Sequence, residues 1–166
     1  MTSTAQHALE SGLAGDSLVA EGELVYEYTL RFTNVTEYGA TLGDLLAGKE
    51  ALPPAGARID VAFEGTCTGP RLKGSVKGVD YLNIRADGRV DLHIHADITT
   101  DEGARIALEA GGVAMLTPGS PIGQLRENVA LATSHPDYLW VNPIQVWATG
   151  AVHLDTGEVR VKAYAA

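Results

Sequence analysis

The sequence predicts an all-β protein: a single antiparallel β-barrel of about eight to ten strands with short helical turns. Three observations carry this. Apolar residues recur at every second position over most of the chain, the mark of half-buried strands. Clusters of Gly, Pro and Asp fall between the alternating runs. No long stretch repeats with the 3.6-residue period of a helix. A closed barrel is preferred over a sandwich because closure leaves no exposed sheet edge.

Residues 1–16 are small and polar and read as a flexible tail, leaving 17–166 as one barrel domain. In Leu24–Phe32, the residues Tyr26, Tyr28, Leu30 and Phe32 share one face, with Glu27, Thr29 and Arg31 on the other. Thr41–Ala47, ended by Gly48, is the one helical candidate, a turn or two long. Ala57–Glu64 sets Ile59, Val61 and Phe63 against Arg58, Asp60 and Glu64. Arg85–Arg89 (R-A-D-G-R) is the clearest hairpin turn. Val90–Ile98, Ala104–Ala110 and Val159–Ala165 alternate in the same way. Residues 116–130 lack strict periodicity and read as a long loop, with a helical turn near Gln124–Ala130; long loops in compact domains often cover binding sites. Asp137–Trp147 reads as an extended run, with Pro143 marking a bulge or an edge.

Composition excludes several classes. The net charge is −9, with 12 Lys and Arg. Phosphate backbones and anionic lipid repel such a chain, and no basic cluster offsets this, so neither nucleic acid nor a membrane is an expected partner. No apolar run approaches the roughly 20 residues of a spanning helix. No secretory leader pattern opens the sequence. The single Cys67 suits a reducing cytoplasm and reads as a small buried apolar group. There is no dinucleotide-binding glycine motif, phosphate-binding lysine loop, G-x-S-x-G elbow or C-x-x-C pair.

The chemistry-bearing stretch is V-D-L-H-I-H-A-D, Val90 to Asp97. Asp91, His93, His95 and Asp97 fall on one face of a strand and Val90, Leu92, Ile94 and Ala96 on the other. Three readings are open. The polar face is a solvated surface, as Arg58/Asp60 and Arg160/Lys162 read on their strands. Or it offers two imidazoles to a metal, as H-x-H does in cupin barrels, although His135 and His153 are not convincing further ligands. Or it lines the lumen, where a carboxylate beside an imidazole serves acid–base catalysis. A second candidate is Asp80, a carboxylate after Gly78-Val79, either capping a turn or standing at the barrel mouth. A third is the wall formed by Tyr138, Trp140 and Asn142, of the kind that lines small-molecule pockets.

Four segments in order, Gly65–Gly74 (G-T-C-T-G-P-R-L-K-G), Gly78–Gly88 (G-V-D-Y-L-N-I-R-A-D-G), Thr99–Ile106 (T-T-D-E-G-A-R-I) and Pro136–Asn142 (P-D-Y-L-W-V-N), make the chain resemble the bacterial and fungal domain-of-unknown-function family 3237 over about residues 18–166. The resemblance implies a small calycin-like antiparallel barrel. The positions matching its motifs are Asp80, Tyr81, Arg85, Asp87, Thr100, Tyr138, Trp140 and Asn142. His93 and His95 stand where the family commonly carries Asp and Arg, which marks them as a specialisation of this chain.

The functional expectation is an enzyme of lyase, isomerase, cyclase or hydrolase type that needs neither cofactor nor metal. It would move protons on a small hydrophobic or aromatic molecule held in the barrel. His93, His95, Asp97 and Asp80 would be catalytic, and Tyr81, Arg85, Tyr138, Trp140 and Asn142 would bind substrate. The alternatives are a non-catalytic small-molecule-binding barrel and a cupin-like metal enzyme. The protein is expected in the cytoplasm, as a homodimer.

Overall fold

The computed structural model describes residues 22–165; the predicted tail, residues 1–16, lies outside them. Eight strands run in chain order: β1 Glu23–Glu37, β2 Ala57–Thr68, β3 Gly74–Ile84, β4 Val90–Thr100, β5 Arg105–Leu116, β6 Ile122–Ala132, β7 Val146–His153 and β8 Glu158–Ala165. Each pairs antiparallel with the next, and β8 pairs back with β1, closing an up-and-down barrel. A five-residue helix α1, Leu42–Leu46, follows β1, and a 3-10 helix, Pro136–Val141, precedes β7.

The alternation places the core. Tyr26, Tyr28 and Leu30 of β1, Ile59, Val61 and Phe63 of β2, Ile106 and Leu108 of β5, and Val159, Val161 and Ala163 of β8 all point inward and are buried. The hairpin at 85–89 forms as read: Gly88 donates its N–H to the Arg85 carbonyl, and its φ of 86° needs a residue without a Cβ. Helix α1 also forms where expected, its first turn held by the Glu37 carboxylate accepting the Leu42 N–H at 2.8 Å.

Two expectations are corrected. Residues 116–130 are not a long loop. Leu116 ends β5, a tight connection follows, and Ile122 begins β6, whose Gly123, Leu125, Glu127, Val129 and Leu131 all point inward. There is no helical turn at 124–130. Nor is Asp137–Trp147 an extended run. Pro136 sits in the first turn of the 3-10 helix, where its missing N–H costs nothing. His135 precedes it, and its Nδ1 accepts the Asp137 N–H at 3.3 Å.

The two ends of the barrel differ. Leu72 and, from the 3-10 helix, Val141 close one end with fully buried apolar side chains. At the other end, the side chains of α1 cover only part of the lumen.

Candidate active site

At the α1 end the barrel holds a cavity of about 80 Å³. Leu30, Phe32, Val61, Phe63, Leu92, Ile94, Ala114 and Leu125 form much of its wall, and Leu42 and Leu46 of α1 stand at its mouth. Among the described residues Asp80 is the single charged residue lining it, and Tyr28 supplies a hydroxyl.

Asp80 is there because it occupies an apolar register. On β3 the inward row is Val76, Gly78, Asp80, Leu82 and Ile84, with a carboxylate where a Val or Leu is expected. Pairing between β3 and β4 runs to Asp80↔Ile94 and resumes at Asn83↔Asp91. In the gap, the main-chain N–H of His93 donates to Asp80 Oδ1 at 2.9 Å. The carboxylate therefore replaces a rung of the ladder, which fixes its position. Burial pushes its pKa up to about 6, even though the His93 N–H and the nearby Arg58 charge favour the ionised form.

Glu127 occupies the equivalent anomalous position on β6, between Leu125 and Val129, and is only 4% exposed. Gly112 of β5 lies opposite it, and a Cβ there would run into the Arg126 carbonyl oxygen, so the strands close tightly around the glutamate. Across the lumen, Tyr28 donates its hydroxyl to Glu127 Oε2 at 3.1 Å. Burial, with a contribution from the Asp80 charge, raises the Glu127 pKa to about 7. Burial and Glu127 also hold the Tyr28 phenol well above its ordinary range. Tyr26 stacks on Tyr28 with ring centroids 5.6 Å apart, and its buried hydroxyl has no hydrogen-bond partner among the described residues. The arrangement is one carboxyl group, Asp80, in the wall of an apolar chamber and a second, Glu127, reached from that chamber through the Tyr28 hydroxyl, both poised near neutral pH.

Of the residues singled out from sequence, only Asp80 reaches this chamber. His93 and His95 face outward, because β4 sends Val90, Leu92, Ile94 and Ile98 into the lumen. The expectation that their face lines the cavity is corrected. The apolar face of this strand is the larger and better-packed one, and the barrel takes it inside. Asp97 also lies on the outer surface, ion-paired with Arg105. Tyr81 is on the outer face, with the Arg58 guanidinium 5.1 Å from its ring. Arg85 is in the exposed hairpin, paired with Asp87 at 2.6 Å. Tyr138, Trp140 and Asn142 do not form one wall of the pocket. They secure the closed end. Tyr138 donates to Glu102 Oε2 at 2.7 Å, Trp140 lies under Arg71 at 3.8 Å, and Asn142 exchanges two 2.9 Å hydrogen bonds with the Thr133 backbone. Sequence reasoning missed Glu127, the role of Tyr28 and the apolar mouth of α1. An available signal was an acid inside an apolar period-two row.

Among the described residues, no group of three or more His, Cys, Asp or Glu converges in a metal-binding arrangement. No helix among them is long and apolar enough to cross a membrane.

A family model described as "Protein of unknown function (DUF3237)" matches residues 54–166. The chain belongs to this family. No curated protein matches. Among solved structures, a β-barrel-like protein from Acinetobacter baumannii is 21% identical, with a TM-score of 0.70 over 87% of this chain and 94% of that one. A protein with unknown function from Clostridium acetobutylicum is 21% identical, with a TM-score of 0.71 over 87% and 97%. A structure called an enzyme, from Penicillium herquei, is 20% identical, with a TM-score of 0.58 over 86% and 92%. At these identities the likeness establishes the barrel fold that this DUF3237 member shares with them.

Proposed function

We propose that this protein is an enzyme that moves protons on a small hydrophobic or aromatic molecule held in the barrel, using its own carboxyl groups. The observation that carries this reading is the pair Asp80, half-buried in the chamber wall, and Glu127, buried behind Tyr28, raised to about 6 and about 7. Carboxyl groups poised near the working pH are suited to general acid and base roles. At neutral pH Asp80 is the more ionised of the two and acts as the base on a substrate C–H or O–H. With Glu127 protonated, the Tyr28–Glu127 contact reverses: the carboxylic acid donates to the Tyr28 oxygen, the Tyr28 hydroxyl turns to give its proton to the developing charge on a substrate oxygen, and the Glu127 proton replaces it. The proton accepted by Asp80 balances the one delivered, so isomerisation, elimination and ring closure all need no further reactant. The apolar wall excludes water and strengthens these interactions. The Penicillium neighbour that is called an enzyme is in keeping with catalysis on this fold.

The test does not require the natural product to be known. Small aryl ketones incubated with the protein in D₂O are expected to gain deuterium at the α-carbon faster than in buffer, read by NMR. Asp80→Asn keeps the side chain's shape and should lower that rate by about 10²- to 10⁴-fold. Exchange that is unaffected by Asp80→Asn rules out Asp80 as the base. The almost wholly apolar lining also favours a second reading, a barrel that only binds its ligand. Ketones that bind but never exchange would support it.

A further inference from the structure

The outer face of β4 carries a separate arrangement that the chamber does not use. His93 and His95 stack with ring centroids 5.0 Å apart, and their Nε2 atoms lie 3.1 Å from each other. Tyr81 presents its ring edge-on to both, at 6.4 and 5.9 Å, and so buttresses them from β3. With metal–nitrogen bonds of about 2.05 Å, a 3.1 Å separation subtends about 98° at a shared ion, between the octahedral and tetrahedral values. The far nitrogen of His95, Nδ1, faces the Glu109 carboxylate of β5 at 3.9 Å. A carboxylate behind a ligating imidazole is the usual way to orient such a ring. Opposite His93 on β5 stands Gly111, whose missing side chain leaves open space beside the pair. The net charge of −9 favours cation approach.

We propose that His93 and His95 form an outward-facing bidentate site for a late divalent transition-metal ion, Cu²⁺ in preference to Zn²⁺. Two imidazoles suit both ions, and the general order of affinity places Cu²⁺ first. The remaining coordination positions are open to water, in the space above Gly111. The site is independent of the proton-transfer chamber, which lies on the other side of the sheet.

The test is calorimetric titration of the full chain, stripped of metal, with CuCl₂ and ZnCl₂. One ion per chain is expected, with Cu²⁺ the tighter. His93→Ala and His95→Ala should each weaken Cu²⁺ binding by about tenfold or more, as loss of one of two ligands does, while His135→Ala changes nothing. Gly111→His, where a Cβ meets only the Leu92 carbonyl oxygen at 3.9 Å, adds a third imidazole opposite His93 and should tighten binding by about tenfold or more. The proposal is overturned by one-to-one Cu²⁺ binding that survives the His93→Ala/His95→Ala double variant. It is equally overturned if Cu²⁺ does not bind the parent chain, in which case the 3.1 Å contact is only a hydrogen bond between the two rings. All three positions are exposed, so an unchanged melting temperature will confirm that the variants fold.

Discussion

Ionising Glu127 places a charge among apolar side chains with, among the described residues, a single neutral hydroxyl to receive it. Its folded pKa, about 7, stands above the ordinary value of 4.5. The native state therefore holds this proton more tightly than the unfolded chain does. The stability associated with it is fully present below the unfolded pKa and is lost as pH rises toward 7. A shift of this size corresponds to on the order of 3 kcal/mol. Asp80, raised from 3.8 to about 6, works in the same direction. Urea midpoints of the parent protein should therefore fall between pH 5 and pH 8. Glu127→Gln keeps an acceptor for Tyr28 and cannot ionise, so its midpoint should fall much less and exceed the parent's at pH 8. Identical pH slopes for the two proteins would show that Glu127 does not titrate between those limits.

Elements whose inward rows are purely apolar were legible in the sequence. Tyr26, Tyr28 and Leu30, or Ile59, Val61 and Phe63, leave no doubt about which face enters the core. β6 was hidden because its inward row begins Gly123, Leu125, Glu127: two of three positions are not the aliphatic residues that define a strand's buried face. The same substitution that hid the strand puts a carboxyl group behind the Tyr28 hydroxyl. Asp80 was visible as an acid of interest, but its direction depends on register, which sequence alone leaves free by one residue. The histidine pair drew attention through residue type, while the barrel sorts faces by apolar area. The 3-10 helix was misread because Tyr138, Trp140 and Asn142 alternate, although S-H-P-D is also a capped helix start. Its placement has a measurable consequence. Tyr138→Phe removes the 2.7 Å bond to Glu102 and should lower the melting temperature modestly, because the carboxylate it releases is exposed to water. Deuterium exchange by the folded protein should not change, because this helix is at the closed end. A fall in exchange with no loss of stability would instead return Tyr138 to the pocket.

At the scale of the whole barrel, one half is solid and the other hollow, and this contrast connects stability with function. Two inward-facing alanines report on it. Ala114 on β5 lines the chamber, between Val90 and Leu125 of the neighbouring strands. Ala163 on β8 is fully buried in the solid half, beside Tyr26 and Ala148. Enlarging a side chain beside empty space adds apolar burial at about 0.8 kcal/mol per methylene, whereas enlarging one in a filled core forces neighbours apart at about 1–3 kcal/mol. Ala114→Leu should therefore raise stability by about 1 kcal/mol, or roughly 2–4 °C in Tm, while cutting aryl-ketone exchange by filling the space the ketone needs. Ala163→Leu should do the reverse, lowering Tm and leaving exchange per folded molecule intact. Opposite signs in both readouts are what a site placed in the barrel's hollow half requires, since stability has been given up there to keep room for a ligand. If Ala114→Leu lowers Tm as Ala163→Leu does, the α1 end is packed as tightly as the other and the chamber is not where the ligand binds.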